Sequence, residues 1–204
     1  MSEGRRVMVA VILVLGVVGL VACAKPPQAA IDAANSELAA ARNAEASSYA
    51  PEAWETAQNS MNAAQAEIEA QQAKFAPLRS YKKANELLAA AEQDAEAAGS
   101  AAIEAKAAAR AEVEQAIATI EADLATADEL LAALTNCRRR PKGFASDLEI
   151  LRGNVDGLRA QVSGVQSTVD EGQLLEAKVM ANELSQQIAV VVNDLENAKA
   201  KLGC

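Results

Sequence analysis

The chain has no histidine, and only five aromatic residues and five prolines in 204 positions. Without histidine it lacks the side chain most often used as a general base or metal ligand near neutral pH. No Gly-rich phosphate loop is present, no nucleophile recurs beside a base, and Cys137 has no histidine to activate it. Paired carboxylates occur, Glu112 with Glu114 and Asp194 with Glu196 among them. Positions i and i+2 on a helix diverge, however, and cannot act on one substrate. Clustered soft metal ligands are missing as well. The expectation is a protein that is not an enzyme, with no cofactor and no metal. Positive charge is also scarce, with 19 Lys and Arg against 28 Asp and Glu and a formal charge of −9. That balance argues against nucleic acid, whose phosphates need a basic surface.

Alanine is what the chain has in quantity, 49 of its residues. Such a composition cannot fill a thick globular core, but it builds long helices that pack closely through small side chains. The expected fold is all-α: an elongated antiparallel helical bundle or coiled coil, with an N-terminal signal helix.

The only long apolar run lies at the start. Arg5 and Arg6 precede Val7 to Ala22, the charged head and apolar middle of an export signal. Its 16 residues fall short of the roughly 20 that span a bilayer as a helix. The tetrad Leu20-Val21-Ala22-Cys23 resembles the lipobox of bacterial lipoproteins, in which a small residue precedes the cysteine that is lipidated and becomes the mature N-terminus. That resemblance implies a signal peptide over 1–22, acyl chains on Cys23 and a short tether through Pro26-Pro27 over 23–27. Two or more acyl chains hold a protein stably on a membrane where one does not. An uncleaved signal anchor with an incidental cysteine is the alternative. Ala24 stands where enteric lipoproteins retained at the inner membrane tend to carry Asp, so the resemblance implies the outer membrane, facing the periplasm; inner-membrane anchoring is the alternative.

After the tether the apolar periodicity is helical almost to the end. Val113, Ile117, Ile120, Leu124, Ala127, Leu131 and Leu134 alternate steps of four and three. Phe144, Leu148, Leu151, Val155, Leu158, Val162, Val165 and Val169 do the same, as does the series from Leu174 to Leu202. Three consecutive heptad seams, separated by the turns RRRPKG at 138–143 and Asp170-Glu171-Gly172, predict an antiparallel three-helix coiled coil over 101–204. An intermolecular coiled coil is the competitor, but it has no need of such turns. In the three-helix arrangement Cys137 and Cys204 arrive at one pole, and a disulfide closes the bundle in an oxidising compartment. Two free thiols or an intermolecular bridge are the alternatives, since pairing is not written in sequence.

The preceding residues read differently. A helix over about 28–48 yields at Tyr49-Ala50-Pro51, another runs to about Lys74, and Phe75-Ala76-Pro77 opens a third. Pro suits the first turn of a helix and disfavours helix before it, so each aromatic-Ala-Pro unit reads as a break and restart. From Pro77 one helix is expected to Asn136, with a kink at Gly99-Ser100 as the alternative. Its seam, Tyr81, Ala84, Leu88, Ala91, Ala95, Ala98, Ala102, Ala105 and Ala109, continues at Val113 rather than at position 112, a stutter.

The stretch EASSYAPEAWETAQNSMNAAQAEIE from Glu45, followed by SYKKANELLAAAEQDAEAA at 80–98, resembles the domain-of-unknown-function family DUF4398, found in envelope lipoproteins of Gram-negative bacteria. The shared features are an Ala-rich helix, a Tyr-Ala-Pro break and regularly spaced alanines after a later Tyr. The likeness covers about residues 28–100, implies a helical envelope domain and supplies no catalytic residues.

Three features invite a functional reading. Arg138, Arg139, Arg140 and Lys142 form a basic cluster at a helix C-terminus. They are either a solvated turn complementing the helix dipole or a dock for an anionic lipid, lipopolysaccharide or acidic envelope protein. Tyr49, Trp54, Phe75 and Tyr81 gather around the two breaks, where packing is the expected role and a ligand or partner patch the alternative. Gly153, Gly157 and Gly164 fall on the outer positions of a regular helix. They either admit close approach by the N-terminal helices or a partner, or serve no packing purpose. The resulting expectation is a lipid-anchored scaffold, spacer or adaptor of the bacterial envelope. The alternatives are a carrier holding an apolar or lipid ligand between helices, and a periplasmic hairpin adaptor of an export or efflux complex.

Overall fold

The computed structural model describes residues 25–204; the signal segment, the lipobox and Cys23 lie outside the described residues. Among the described residues there are six α-helices, one 3-10 turn and no strand. The chain divides between Glu104 and Ala105 into two compact units.

Helix α1, Gln28–Asn43, opens directly behind Pro26-Pro27, where the amide of Ile31 donates to the carbonyl of Pro27. It ends earlier than the periodicity suggests, because Glu45 adopts a left-handed conformation with φ of 62°. That geometry costs a non-glycine residue about 1–2 kcal/mol. It redirects the chain so that Ala46, the first residue of the short helix α2, Ala46–Tyr49, is fully buried. Helix α3, Pro51–Gln72, starts with proline in its first turn, where the missing amide has no bond to lose.

Helix α4, Lys82–Thr135, begins five residues later than expected. Pro77 sits instead in a 3-10 turn, Ala76–Leu78, and Arg79 is extended. The reason lies at the C-terminus of α3, whose last carbonyls have no helical partner. The Arg79 guanidinium donates to the carbonyls of Lys74 and Gln72, at 2.9 and 2.8 Å. The buried Gln71 side chain accepts from the Ser80 amide at 3.1 Å. Those bonds require an extended Arg79, so the helix restarts only beyond Tyr81, whose carbonyl accepts from the Asn85 amide. From there α4 runs uninterrupted through Gly99-Ser100 and across the boundary between the units.

In the first unit α1, α3 and the first part of α4 share two clusters. One joins Ala34 with Met61, Ala64, Ile68, Tyr81, Ala84, Leu88 and Ala91, and Ala30 and Ile31 pack against it. The other joins Ala41, Ala46, Ala57, Ala95, Ala98 and Ala102, with Tyr49 and Trp54 packed against it. α1 and α4 pass from the first cluster to the second and α3 passes back, an up-down-up arrangement. Helix approach is close: a Cβ added at Gly99 would lie 3.5 Å from the Ala41 Cα.

In the second unit the remainder of α4 packs with α5, Phe144–Asp170, and α6, Leu174–Leu202. Every seam position named above for these three helices is buried or half-buried. Arg152 bonds Thr135 at 2.6 Å and Arg159 pairs with Asp128 at 2.6 Å. Seven residues forward on α5 thus match seven back on α4, an antiparallel heptad register. Gly172, with φ of +81°, makes the turn into α6, and Lys178 pairs with Glu112 of α4.

Candidate functional site

The turn after α4 carries the basic cluster, and its geometry follows from how that helix ends. The Arg140 side chain folds back, donating from Nε to the Cys137 carbonyl at 3.3 Å and from Nη2 to the Thr135 carbonyl at 2.9 Å. Arg140 thereby caps the helix and complements its negative end. Gly143, at φ of +90°, lets the chain reverse into α5, and Asp147 in the first turn of α5 complements the positive end there.

Cys137 and Cys204 are joined Sγ to Sγ, with Cα atoms 5.5 Å apart across 67 residues of chain. Cys137 is buried and Cys204 exposed. This link brings the last turn of α6, with Lys199 and Lys201, to the end that carries Arg138, Arg139, Arg140 and Lys142. The two lysines were not among the residues singled out from sequence. The same heptad count that brings Cys204 to Cys137 would have found them.

The four sequence-selected cations do not act alike. Arg140 is committed to backbone carbonyls, whereas Arg138, Arg139 and Lys142 are exposed and form no ion pair among the described residues. Four cations elsewhere have acidic partners: Lys83 with Glu67 at 3.1 Å, Arg110 with Glu114 at 3.7 Å, Arg159 with Asp128, and Lys178 with Glu112. Beside the turn lies an open groove of about 500 Å³ lined by Thr135, Arg140, Phe144, Ser146, Leu148 and Arg152. Exposed guanidinium and ammonium groups on a covalently closed end can hold carboxylates or phosphates by charge-assisted hydrogen bonds.

The four aromatics near the breaks separate. Tyr49 and Trp54 pack on the second cluster of the first unit, with the Arg42 guanidinium 5.7 Å from the Trp54 ring centre. Tyr81 is buried in the first cluster. Phe75 does not pack: it is 74% exposed. Of the two readings of the α5 glycines, close approach by another helix of this chain is not what the structure has: nothing lies within 4 Å of a Cβ added at Gly153 or Gly157, and only Met180 Cε, at 3.9 Å, at Gly164. The Glu67 carboxyl is held below the usual carboxylate range, first by the Gln71 side-chain hydrogen bond and then by Lys83.

Among the described residues no group of three or more Cys, Asp or Glu is placed to hold a metal ion, and no helix is long and apolar enough to cross a membrane. The fold and these residues define an all-helical protein of two packed helical units with a basic, cross-linked turn. Comparison with protein-family models, with curated proteins and with solved structures finds nothing that matches this chain.

Proposed function

We propose that this chain is a non-catalytic scaffold or adaptor of the bacterial cell envelope, lipid-anchored at Cys23 to the outer membrane and facing the periplasm. Its basic turn, through Arg138, Arg139 and Lys142, meets an anionic partner, either an acidic protein or lipopolysaccharide. The observation that carries this reading is the pattern of charge. In a chain of net charge −9, three cations within the five residues 138–142 are exposed and without an ion pair among the described residues, at the end that also carries Lys199 and Lys201, whereas Lys83, Arg110, Arg159 and Lys178 each have an acidic partner. A bond between Cys137 and Cys204 supports export, because such links persist in oxidising compartments. The lipobox-like tetrad and the likeness to an envelope domain over 28–100 support the same location.

A photo-crosslinking residue at Arg139, introduced in cells, is the test. The expected result is an adduct of discrete mass that disappears when Arg138 and Lys142 are changed to Glu. Absence of any adduct beyond that formed from an exposed position such as Asn154 would sink the docking role. Mass spectrometry of the membrane-extracted chain checks the anchor. Acyl chains are expected on residue 23, and an intact leader with unmodified Cys23 removes the lipid tether.

A further inference from the structure

The loop between α3 and α4 combines three properties that the proposed scaffold role does not use. Phe75 and Leu78 are 74% and 71% exposed, the most exposed of the large apolar side chains among the described residues. They do not dangle. The Leu78 amide donates to the Phe75 carbonyl at 2.8 Å, and Arg79 and Gln71 brace the turn through the carbonyls of Lys74 and Gln72 and the amide of Ser80. A braced apolar tip loses little conformational freedom when it enters another phase, so its burial is retained as affinity.

Charge along the loop itself is one-sided, with the nearest acids, Asp32, Glu67, Glu69 and Glu86, in the adjoining helical turns. The segment KFAPLRSYKK, 74–83, holds four cations and no acid. Lys74 and Lys82 are exposed, whereas Lys83 leans on Glu67 and Arg79 is spent on carbonyls. Over residues 25–104 there are six cations, and Lys25, Lys74, Arg79, Lys82 and Lys83 are five of them. Apolar side chains ringed by lysine suit the boundary of an anionic bilayer, where rings and aliphatic chains enter the acyl region and ammonium groups meet phosphates.

The third property is position. Ala30 and Ile31, in the first turn of α1, pack on the cluster that contains Ile68 and Tyr81, which flank the loop. The start of α1 and the tip therefore lie at the same end of the first unit. Immediately before Lys25 the sequence has its one long apolar run, Val7 to Ala22, and then Cys23. Four residues separate Cys23 from Gln28, and the five steps between them reach at most roughly 18 Å. Any membrane held through that run or through Cys23 is held close to Phe75 and Leu78, and a short tether makes even weak contact of the tip effectively intramolecular.

We infer that this end of the first unit is a membrane-docking surface, in which Phe75 and Leu78 enter the interface of an anionic bilayer while Lys25, Lys74 and Lys82 engage its phosphates. The inference rests on the membrane tethering proposed above. It adds that the protein body sits on the bilayer by its own residues instead of hanging from the tether.

The chain has one tryptophan, Trp54, packed on the cluster at the opposite end of the first unit, which supplies an internal control. The full-length chain, purified from bacterial membranes, is reconstituted into vesicles of phosphatidylglycerol with brominated acyl chains, as wild type and as W54F/F75W. The expected result is a blue-shifted indole in the variant, quenched at least about twofold, with Trp54 of the wild type unquenched. Quenching is expected to weaken in phosphatidylcholine vesicles. A chain that stays vesicle-bound with an unquenched F75W indole overturns the docking surface and leaves the tether intact; an in-cell crosslink from Phe75 to a protein would then assign the tip to that partner. A chain that does not remain on the vesicles at all overturns the tether reading together with this one. Equal quenching in neutral and anionic vesicles overturns the part assigned to the lysines.

Discussion

The two units solve one packing problem with different side chains. Of the buried hydrophobic residues described, ten of fourteen in the first unit are alanine, against four of twenty-one in the second. A methyl group removes little apolar surface from water, and each additional buried methylene contributes about 0.8 kcal/mol. The first unit therefore gains its stability by bringing backbones together, as Gly99 against Ala41 illustrates. The second fills wider spaces with Leu, Ile and Val and is cross-linked at one end. The lesson is that the same heptad spacing specifies helices in both units, while side-chain volume decides which substitutions each tolerates.

The largest test of that contrast is C137S/C204S. Removing a link across 67 residues is expected to cost the second unit about 4 kcal/mol in the chain-entropy model, read as loss of hydrogen-exchange protection over 105–204. An equal loss over 28–81 would show that the units do not unfold separately. Next, Leu195→Ala, at a fully buried position of α6, is expected to cost about 3 kcal/mol through a cavity. Ala95→Leu inverts the experiment. It should cost about 2 kcal/mol by overpacking the first unit, with exchange rising over α1 and α3. A leucine tolerated there without loss would refute close packing as the source of that unit's stability.

Smaller effects sharpen the contrast. Gly153→Ala meets open space and should raise the unfolding free energy of the second unit by about 1 kcal/mol, read as a higher denaturation midpoint, from helix propensity alone. Gly99→Ala places its Cβ in ordinary van der Waals contact with Ala41, 3.5 Å from its Cα, and should stabilise the first unit by a similar amount. The smallest effect concerns pH. The Glu67 carboxyl is depressed in the folded state, so its contribution is present above the usual value of 4.5 and is lost as pH falls through the folded value. Urea midpoints of wild type and E67Q should therefore converge in acid and separate toward neutrality.

Much of the second unit could be read in advance, because from Val113 its apolar residues are mostly large and their period within each helix is regular. Val113 to Leu134 and Leu174 to Leu195 fall inward as spaced. The first unit was harder to read. Alanines occur on every face of its helices, so periodicity alone could not show that Ala46 would be drawn inward by a left-handed Glu45. Nor could it place the start of α4, since Pro77 suits a 3-10 turn as well as a first helical turn. At the basic turn, residue type identified Arg138, Arg139, Arg140 and Lys142, but only the capping bonds separate Arg140 from its exposed neighbours.

Sequence by itself determined the helical seams of the second unit and the turns between them, because a period of three and four residues fixes which face is buried; it placed Cys137 and Cys204 at one pole without fixing their pairing. The tertiary structure alone decided that Phe75 stays outside while Tyr81 goes in, and that Lys25 shares an end with Lys74 and Lys82. Those outcomes depend on which helix ends meet and on where an arginine finds carbonyls without partners, and neither is encoded in the spacing of residues along one helix.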